Sequence, residues 1–246
     1  MSGGGDGRPR QLPLHLALSP SYRREDFVVG ASNGAAWTML ERWPDWPHHV
    51  ALLIGGEGTG KSHLASLWAE KAHAPIVRAS DLADGDPVAL IRGGTLVVED
   101  CDREPLDEAV LFHLVNAVVS AGGFLLLTAR VPASEWTIST RDLASRLRAI
   151  PPTVIGEPED ALLQRVLSKL FRDRQLSVDS AVVAYLVRRM ERSFQAALRV
   201  VDALDREGLA RRRPITRPMA AEVLVQEGLG DLVGEAGEDD EGDGAG

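Results

Sequence analysis

The chain has 246 residues, of which 44% are hydrophobic, enough to form the core of one large domain or two small ones. Its single cysteine excludes an internal disulfide and fits a reducing, cytoplasmic setting, and no apolar run is long enough to cross a membrane. The net charge is −9, but eight acidic and no basic residues lie from Glu227 onward, which leaves 27 basic against 28 acidic residues elsewhere. The main part of the chain therefore shows no basicity that would favour nucleic-acid binding.

Strands and helices alternate through the first two thirds of the chain. After a Gly- and Pro-rich start, a helix is predicted over 33–42 and a rigid, proline-containing loop over 43–47. Short apolar runs predict five strands, at 50–54, 76–78, 95–98, 124–128 and 153–155. Helical spacing lies between them, notably at 62–72 and 106–121. This alternation is typical of an α/β fold with a parallel sheet covered on both faces.

After Pro158 the pattern changes to helices alone. They are predicted over 161–174, from an N-cap at Ser177, over 193–208 and after an N-cap at Thr216. Four parts follow from this pattern: an N-terminal tail (1–22), an α/β domain (23–156), a helical bundle (157–227) and an acidic tail (228–246). The composition of the last part predicts a disordered segment that aids solubility.

Residues 55–62 read Gly-Gly-Glu-Gly-Thr-Gly-Lys-Ser and match G-x-x-x-x-G-K-[ST], the phosphate-binding P-loop. The predicted strand before it and helix after it argue against a chance glycine-rich turn. Glycines let the backbone approach an anion, and the helix N-terminus directs amides and a positive dipole end at the phosphates. In this motif the lysine reaches the β- and γ-phosphates and the hydroxyl holds Mg²⁺. We therefore expect ADP or ATP to bind at Gly55, Gly58, Gly60, Lys61, Ser62 and the adjacent His63.

Polar side chains end two further strands of the predicted sheet. Glu99 and Asp100 follow the strand at 95–98, at the edge where doubly wound sheets bind ligands. One of these acids could order Mg²⁺ together with Ser62, and the other could orient the attacking water. The alternative is a strand that simply ends in polar turn residues, which the nearby P-loop disfavours. Thr128 ends the fourth strand, and its hydroxyl either contacts the γ-phosphate or water, or belongs to an ordinary strand end.

Together these features resemble the AAA+ ATPases, and several short sequence segments resemble the DnaA branch of that family over about residues 23–226. The similarity rests on the P-loop and acids, on Phe-His-Leu-Val-Asn at 112–116, Leu-Leu-Thr at 126–128, Asp-Leu-Ala-Ser-Arg-Leu at 142–147 and Val-Asp-Ala-Leu-Asp-Arg at 201–206. It implies a P-loop AAA+ parallel-sheet sandwich followed by a small all-α lid bundle.

The resemblance also implies roles for individual residues. Glu99 and Asp100 stand at the Walker B positions, Thr128 at sensor 1, and Arg192 at sensor 2 beside the nucleotide. Arg146 stands where the family has an arginine finger, which acts on the nucleotide of a neighbouring molecule. Arg141 and Arg148 lie close enough in sequence to remain alternatives for that finger.

The N-terminal tail contains Gln-Leu-Pro-Leu-His-Leu at 11–16, which resembles the peptide that binds the sliding clamp (the β subunit of DNA polymerase III). Gln11 would fix orientation through its amide, while Leu12, Leu14 and Leu16 would dock in an apolar groove. A DnaA-like module with this peptide, and with an acidic segment where DnaA has its DNA-binding domain, resembles the Hda family of DnaA-inactivating regulators, in its alphaproteobacterial form. The resemblance implies that the clamp and DnaA are partners, and it allows a homodimer. It implies no direct sequence-specific binding to DNA and no association with a membrane.

The function implied is negative regulation of replication initiation through hydrolysis of DnaA-bound ATP. Glu99 departs from the family pattern, since the first Walker B acid in DnaA is usually aspartate. The extra methylene displaces the carboxylate by on the order of 1 Å, and such errors can cost about a hundredfold in rate. We therefore expect the chain to bind nucleotide but to hydrolyse it poorly. Two other functions remain open: a helicase-loader-like ATPase that acts on its own nucleotide, and an adaptor that bridges clamp and partner without chemistry.

Overall fold

The computed structural model describes residues 23–84, 90–91, 93–103 and 105–230. The predicted clamp peptide (Gln11, Leu12, Leu14 and Leu16) and residues 231–246 of the acidic tail lie outside the described residues. Within the described ranges, no helix combines the length and the apolar character that a membrane span requires.

Five parallel strands form one sheet in the order β2-β3-β4-β1-β5. They are β1 (Val50–Gly55), β2 (Ile76–Arg78), β3 (Thr95–Glu99), β4 (Phe124–Ala129) and β5 (Pro152–Ile155). All five were predicted to within one residue at each end. The order places β1, which leads into the P-loop, between β4 and β5, so the carboxyl ends of β3 and β4 lie on one side of that loop.

Helices cover both faces of the sheet, as the apolar strands predicted. The helices of this domain are α1 (Gly34–Glu41), α2 (Lys61–Ala72), α3 (Glu108–Ser120) and α4 (Arg141–Arg148). Alternate residues of β3 point to opposite faces. Val97 packs with α1 and α2 around Trp68, whereas Leu96 and Val98 pack with α3 and α4. The predicted α/β class is confirmed.

The helix α4 was not predicted as an element. It is a short helix whose buried residues Leu143, Ala144 and Leu147 face the sheet, while its arginines are exposed. Arg146 therefore lies within the last turn of a helix that is fixed by its apolar face.

The lid is a bundle of four helices: α5 (Asp160–Asp173), α6 (Ser180–Arg189), α7 (Phe194–Arg211) and α8 (Arg217–Gln226). Leucines and valines from all four helices form its separate core. The predicted N-cap at Ser177 is wrong, because the carboxylate of Asp179 accepts a hydrogen bond from Ala181 N at 2.7 Å and caps α6 instead. A carboxylate at this position also interacts favourably with the helix dipole. The hydroxyl of Ser193 caps α7 by accepting from Ala196 N at 3.0 Å.

Candidate nucleotide-binding site

The P-loop connects the end of β1 to the start of α2, and its backbone requires glycine at two positions. Gly58 has φ of +70° and Gly60 has φ of +98°, the left-handed region in which side chains are strained. Gly55 is required for a different reason, since a Cβ there would lie 2.6 Å from the carbonyl oxygen of Ile155 on β5. The three glycines predicted to bind nucleotide are thus the ones that shape the loop.

Lys61 lies across the mouth of this loop. Its ammonium donates hydrogen bonds to the carbonyl oxygens of Gly55 and Gly56, both at 2.8 Å, and the residue is only 9% exposed. Burial lowers the pKa of Lys61, although the nearby carboxylates of Asp100 and Asp102 oppose that shift. A phosphate forms stronger, charge-assisted hydrogen bonds than two carbonyls do. The ammonium is therefore positioned to exchange its two carbonyl acceptors for a phosphate. Ser62, the next residue on α2, is exposed.

The two predicted Walker B acids have different surroundings. Glu99 Oε1 is buried and has no hydrogen-bond partner among the described residues. The Asp100 carboxylate is partly exposed and lies 3.8 Å from Arg103 Nε. A buried carboxylate oxygen without a partner is costly unless a cation or proton reaches it, so Glu99 fits a site for Mg²⁺. No group of three or more acidic, histidine or cysteine side chains in the described part of the chain could hold a metal alone.

Thr128 connects the end of β4 to the acids at the end of β3. It is 1% exposed, and its hydroxyl accepts a hydrogen bond from Asp100 N at 3.2 Å. Cys101 N donates to the carbonyl oxygen of Thr128 at 2.9 Å. Asp100 itself has φ of +58°, an unusual backbone conformation for aspartate. The hydroxyl predicted as a possible γ-phosphate contact thus holds the Asp100 backbone in position.

An ion pair between a buried carboxylate and an exposed arginine beside these residues was missed by sequence reasoning. The side chain of Asp102 is 2% exposed and lies 3.0 Å from Arg130 Nε, which follows β4. Its second oxygen, Oδ1, is buried without a partner among the described residues. Asp102 reads as a turn residue in the sequence, and nothing local to it indicates that Arg130, 28 residues later, pairs with it.

The lid closes directly on the P-loop. A Cβ on Gly58 would lie 2.7 Å from the Cβ of Ser193, and Phe194 N donates to the carbonyl oxygen of Gly58 at 2.9 Å. Arg192, the predicted sensor-2 residue, immediately precedes Ser193 and so lies at the edge of the site. Its guanidinium pairs with Asp160 on α5 at 2.6 Å.

The segment before α1 is fastened to the linker between the two domains. The Glu159 carboxylate accepts hydrogen bonds from Ala31 N at 2.8 Å and Ser32 N at 3.3 Å. The hydrogen bond from Ala31 is the main cause that lowers the pKa of Glu159 to about 2. Gly156 N also donates to Ser32 O at 2.9 Å. The sequence analysis did not single out Glu159, so this contact across 128 residues was missed.

The two remaining predicted residues, His63 and Arg146, each contact an aromatic ring. His63 packs edge-on against Phe27, with ring centroids 5.2 Å apart, and burial lowers the pKa of its imidazole. It therefore faces the segment that precedes α1. Arg146 is exposed on α4, where its guanidinium carbon lies 5.6 Å from the ring centroid of Phe112.

The lid matches a known family. Residues 160–224 match the model described as "Hda, lid domain". Over a longer range the sequence is similar to the chromosomal replication initiator protein DnaA. DnaA of Thermomicrobium roseum is 27% identical over 242 residues, covering 86% of this chain and 51% of that protein. DnaA of Caulobacter vibrioides is 27% identical over 245 residues, covering 81% and 48%. The chain thus spans about half the length of the curated relatives it matches.

Solved structures share the fold. Domain III of DnaA from Thermotoga maritima has a TM-score of 0.71 at 16% identity, covering 85% of this chain and 97% of that one. AMPPCP-bound DnaA from Aquifex aeolicus has a TM-score of 0.61 at 18% identity, covering 80% and 69%.

The parallel sheet, the P-loop with its strand-end acids and the helical lid that packs on it give the chain an AAA+-like fold, that of DnaA domain III. Within that class the chain is similar in sequence to DnaA, and its lid matches the Hda lid model, so it resembles the DnaA branch and Hda.

Proposed function

We propose that the chain is an Hda-like regulator of DnaA, which binds the DNA-loaded sliding clamp and promotes hydrolysis of DnaA-bound ATP. The match of its lid to the Hda lid family is the observation that carries this proposal. The product would be ADP-bound DnaA, so the effect on replication initiation is negative. The protein would act in the cytoplasm, without sequence-specific DNA binding of its own and with a homodimer as one available state.

Arg146 is the group proposed to act on the partner's nucleotide. Its helix is fixed to the sheet by Leu143 and Leu147, and the Phe112 ring supports the guanidinium from below. The side chain is exposed, as a group that must enter another molecule's site has to be. A positive charge placed there stabilises the phosphoryl-transfer transition state, and arginine fingers contribute about 10³–10⁵ in rate.

The chain's own nucleotide has a structural role in this proposal. Lys61 and the P-loop amides would bind the phosphates of ADP or ATP, and Ser62 with Glu99 and Asp100 would hold Mg²⁺. Mg²⁺ neutralises phosphate charge when it is bound. The unpartnered Glu99 oxygen supports a cation there, while the length of the glutamate side chain disfavours efficient hydrolysis. Bound nucleotide would then stabilise the closed contact between lid and P-loop.

Clamp binding is assigned to the N-terminal tail (1–22), through Gln11, Leu12, Leu14 and Leu16. The proposed division continues with an AAA+ domain (23–156), a lid (157–227) and an acidic tail (228–246). The boundary at 156/157 is supported by the position of Gly156 between the end of β5 and the start of α5.

The test is conversion of DnaA-bound ATP to ADP in the presence of loaded clamp. Arg146→Ala should abolish the stimulation that the wild-type chain gives, whereas Arg42→Ala, which removes the same charge from the exposed end of α1, should not. Arg148→Ala distinguishes the neighbouring candidate on α4. Full stimulation by Arg146→Ala would overturn this mechanism.

The clamp peptide is tested separately. A pull-down on immobilised clamp should lose the chain when Leu12 and Leu16 are both replaced by alanine. If that variant still stimulated DnaA without binding the clamp, the proposed docking step would be contradicted.

The alternative function has its own test. If the chain alone hydrolysed ATP and Lys61→Ala abolished this turnover, the helicase-loader-like ATPase would be favoured.

A further inference from the structure

Tyr185 on α6 lies between two arginines of the lid. The guanidinium carbon of Arg217 is 4.9 Å from the ring centroid, and that of Arg189 is 6.0 Å from it. We call these three residues the arginine–tyrosine cluster. Both arginines are exposed, and the tyrosine is half-buried beneath them.

The two arginines lack a counter-charge in the described part of the chain. Neither has a carboxylate of residues 23–84, 93–103 or 105–230 within ion-pair distance. Five of the ten other lid arginines do have one: the paired residues are Arg174, Arg192, Arg199, Arg206 and Arg211. Two exposed cations beside one aromatic ring therefore make this part of the lid surface positive. Guanidinium groups bind carboxylates well because two N–H groups can donate in parallel.

The described chain ends beside this cluster. Gly230 forms an antiparallel bridge with Met190, and Glu191 N donates to the carbonyl oxygen of Leu229 at 3.0 Å. A Cβ on Gly230 would lie 3.8 Å from the carbonyl oxygen of Arg189. The last described residue therefore lies next to the backbone of Arg189, one of the two arginines.

Residues 231–246 have the complementary charge. They contain seven carboxylates, no lysine and no arginine. The densest run, 238–241, starts eight residues after Gly230, and eight extended residues span about 26 Å. That reach is ample for carboxylates to return to Arg189 and Arg217. A tether of this length also gives an effective concentration of roughly millimolar, which allows weak ion pairs to form.

We propose that the acidic segment 235–243 docks on the arginine–tyrosine cluster and screens this lid surface from other polyanions. The contact is intramolecular and controlled by ionic strength, because the Debye length falls from about 10 Å at 0.1 M salt to about 3 Å at 1 M. This inference goes beyond the proposed function and needs neither the clamp nor DnaA.

Paramagnetic relaxation in NMR spectra of the full chain tests where the segment lies. Cys101 is buried, so a nitroxide can be attached selectively in the Asp240→Cys variant. We expect broadening of amides around 185–190 and 217–219 at 0.1 M salt, lost at 1 M. The double substitution Arg189→Gln/Arg217→Gln should remove it, while Arg42→Gln/Arg78→Gln, which removes the same charge from the other domain, should not. Broadening on another surface, or broadening that survives the double substitution, overturns the proposal.

Anisotropy with a labelled DNA duplex tests the screening. A variant with Glu238→Gln, Asp239→Asn, Asp240→Asn and Glu241→Gln should bind the duplex roughly three- to tenfold more tightly than the wild-type chain at 0.1 M salt. Adding Arg189→Gln/Arg217→Gln should cancel that gain. Equal affinity of the wild-type chain and the neutralised variant would show that the segment does not screen the cluster.

Discussion

The contact between lid and P-loop makes Gly58 the most informative position for substitution. Its φ of +70° strains any residue with a side chain, and an added Cβ would lie 2.7 Å from the Cβ of Ser193 and 3.1 Å from its Oγ. Ser193 cannot move freely, because its hydroxyl caps α7 and it is 3% exposed. The Gly58→Ala substitution should therefore push the lid away from the loop.

The expected cost combines two effects. A left-handed conformation costs an L-residue about 1–2 kcal/mol, and overpacking a fixed contact costs about 1–3 kcal/mol. The lower backbone entropy of unfolded alanine returns about 0.4–1 kcal/mol. A net loss of about 2–4 kcal/mol follows, which corresponds to a fall in Tm of roughly 4–16 °C for a chain of this size.

Thermal unfolding followed by circular dichroism measures this loss. The matched control is Gly56→Ala, two residues earlier in the loop, where a Cβ would meet only Thr59 Cγ2, at 3.7 Å. It should leave Tm nearly unchanged. Equal Tm values for the Gly58→Ala and Gly56→Ala chains would refute the claim that the lid rests on Gly58.

Two further predictions concern the nucleotide site, and one concerns the contact of Glu159 with the segment before α1. Lys61→Ala should weaken ADP binding about 10- to 100-fold, since a charged hydrogen bond contributes about 1.5–3 kcal/mol. The control Lys71→Ala, on the same helix, should leave ADP affinity unchanged. Titration with a fluorescent ADP analogue measures the affinity of both variants. The pKa of Glu159 is lowered to about 2 from its usual 4.5, so its contribution to stability is full above about pH 4.5 and is lost as the pH falls towards 2. Urea unfolding at pH 5 and pH 3 should therefore show a smaller acid-induced loss for Glu159→Gln than for the wild-type chain, and equal losses would contradict this. Glu99→Asp should raise ATP turnover by the chain alone by up to about a hundredfold, measured in a phosphate-release assay. An unchanged rate would contradict the view that the longer glutamate side chain limits hydrolysis.

Local patterns in the sequence were sufficient to predict much of this fold. The five strands are short apolar runs bounded by polar or glycine residues, and the P-loop is contiguous, so neither depends on distant contacts. The helix α4 was missed although Leu143, Ala144 and Leu147 have helical spacing, because it is only eight residues long and five of those residues are polar or charged.

The features that sequence reasoning missed in the site all join distant residues. Glu159 accepts hydrogen bonds from Ala31 and Ser32. Asp102 forms an ion pair with Arg130, and Ser193 packs against Gly58. None has a local signature, since each side chain is of a type that is common in turns and helix starts. Burial and pairing become evident only when the sheet order and the lid position are known.

We propose that the chemistry promoted by this chain takes place on the nucleotide of DnaA. The direct measurement loads DnaA with ATP carrying one radiolabel and this chain with ATP carrying another, mixes them with loaded clamp, and follows both labels in one reaction. We expect the DnaA label to become ADP in a reaction that needs Arg146, while the label on this chain stays unchanged on the same timescale. Rapid hydrolysis of this chain's own label, with the DnaA label unchanged, would contradict it.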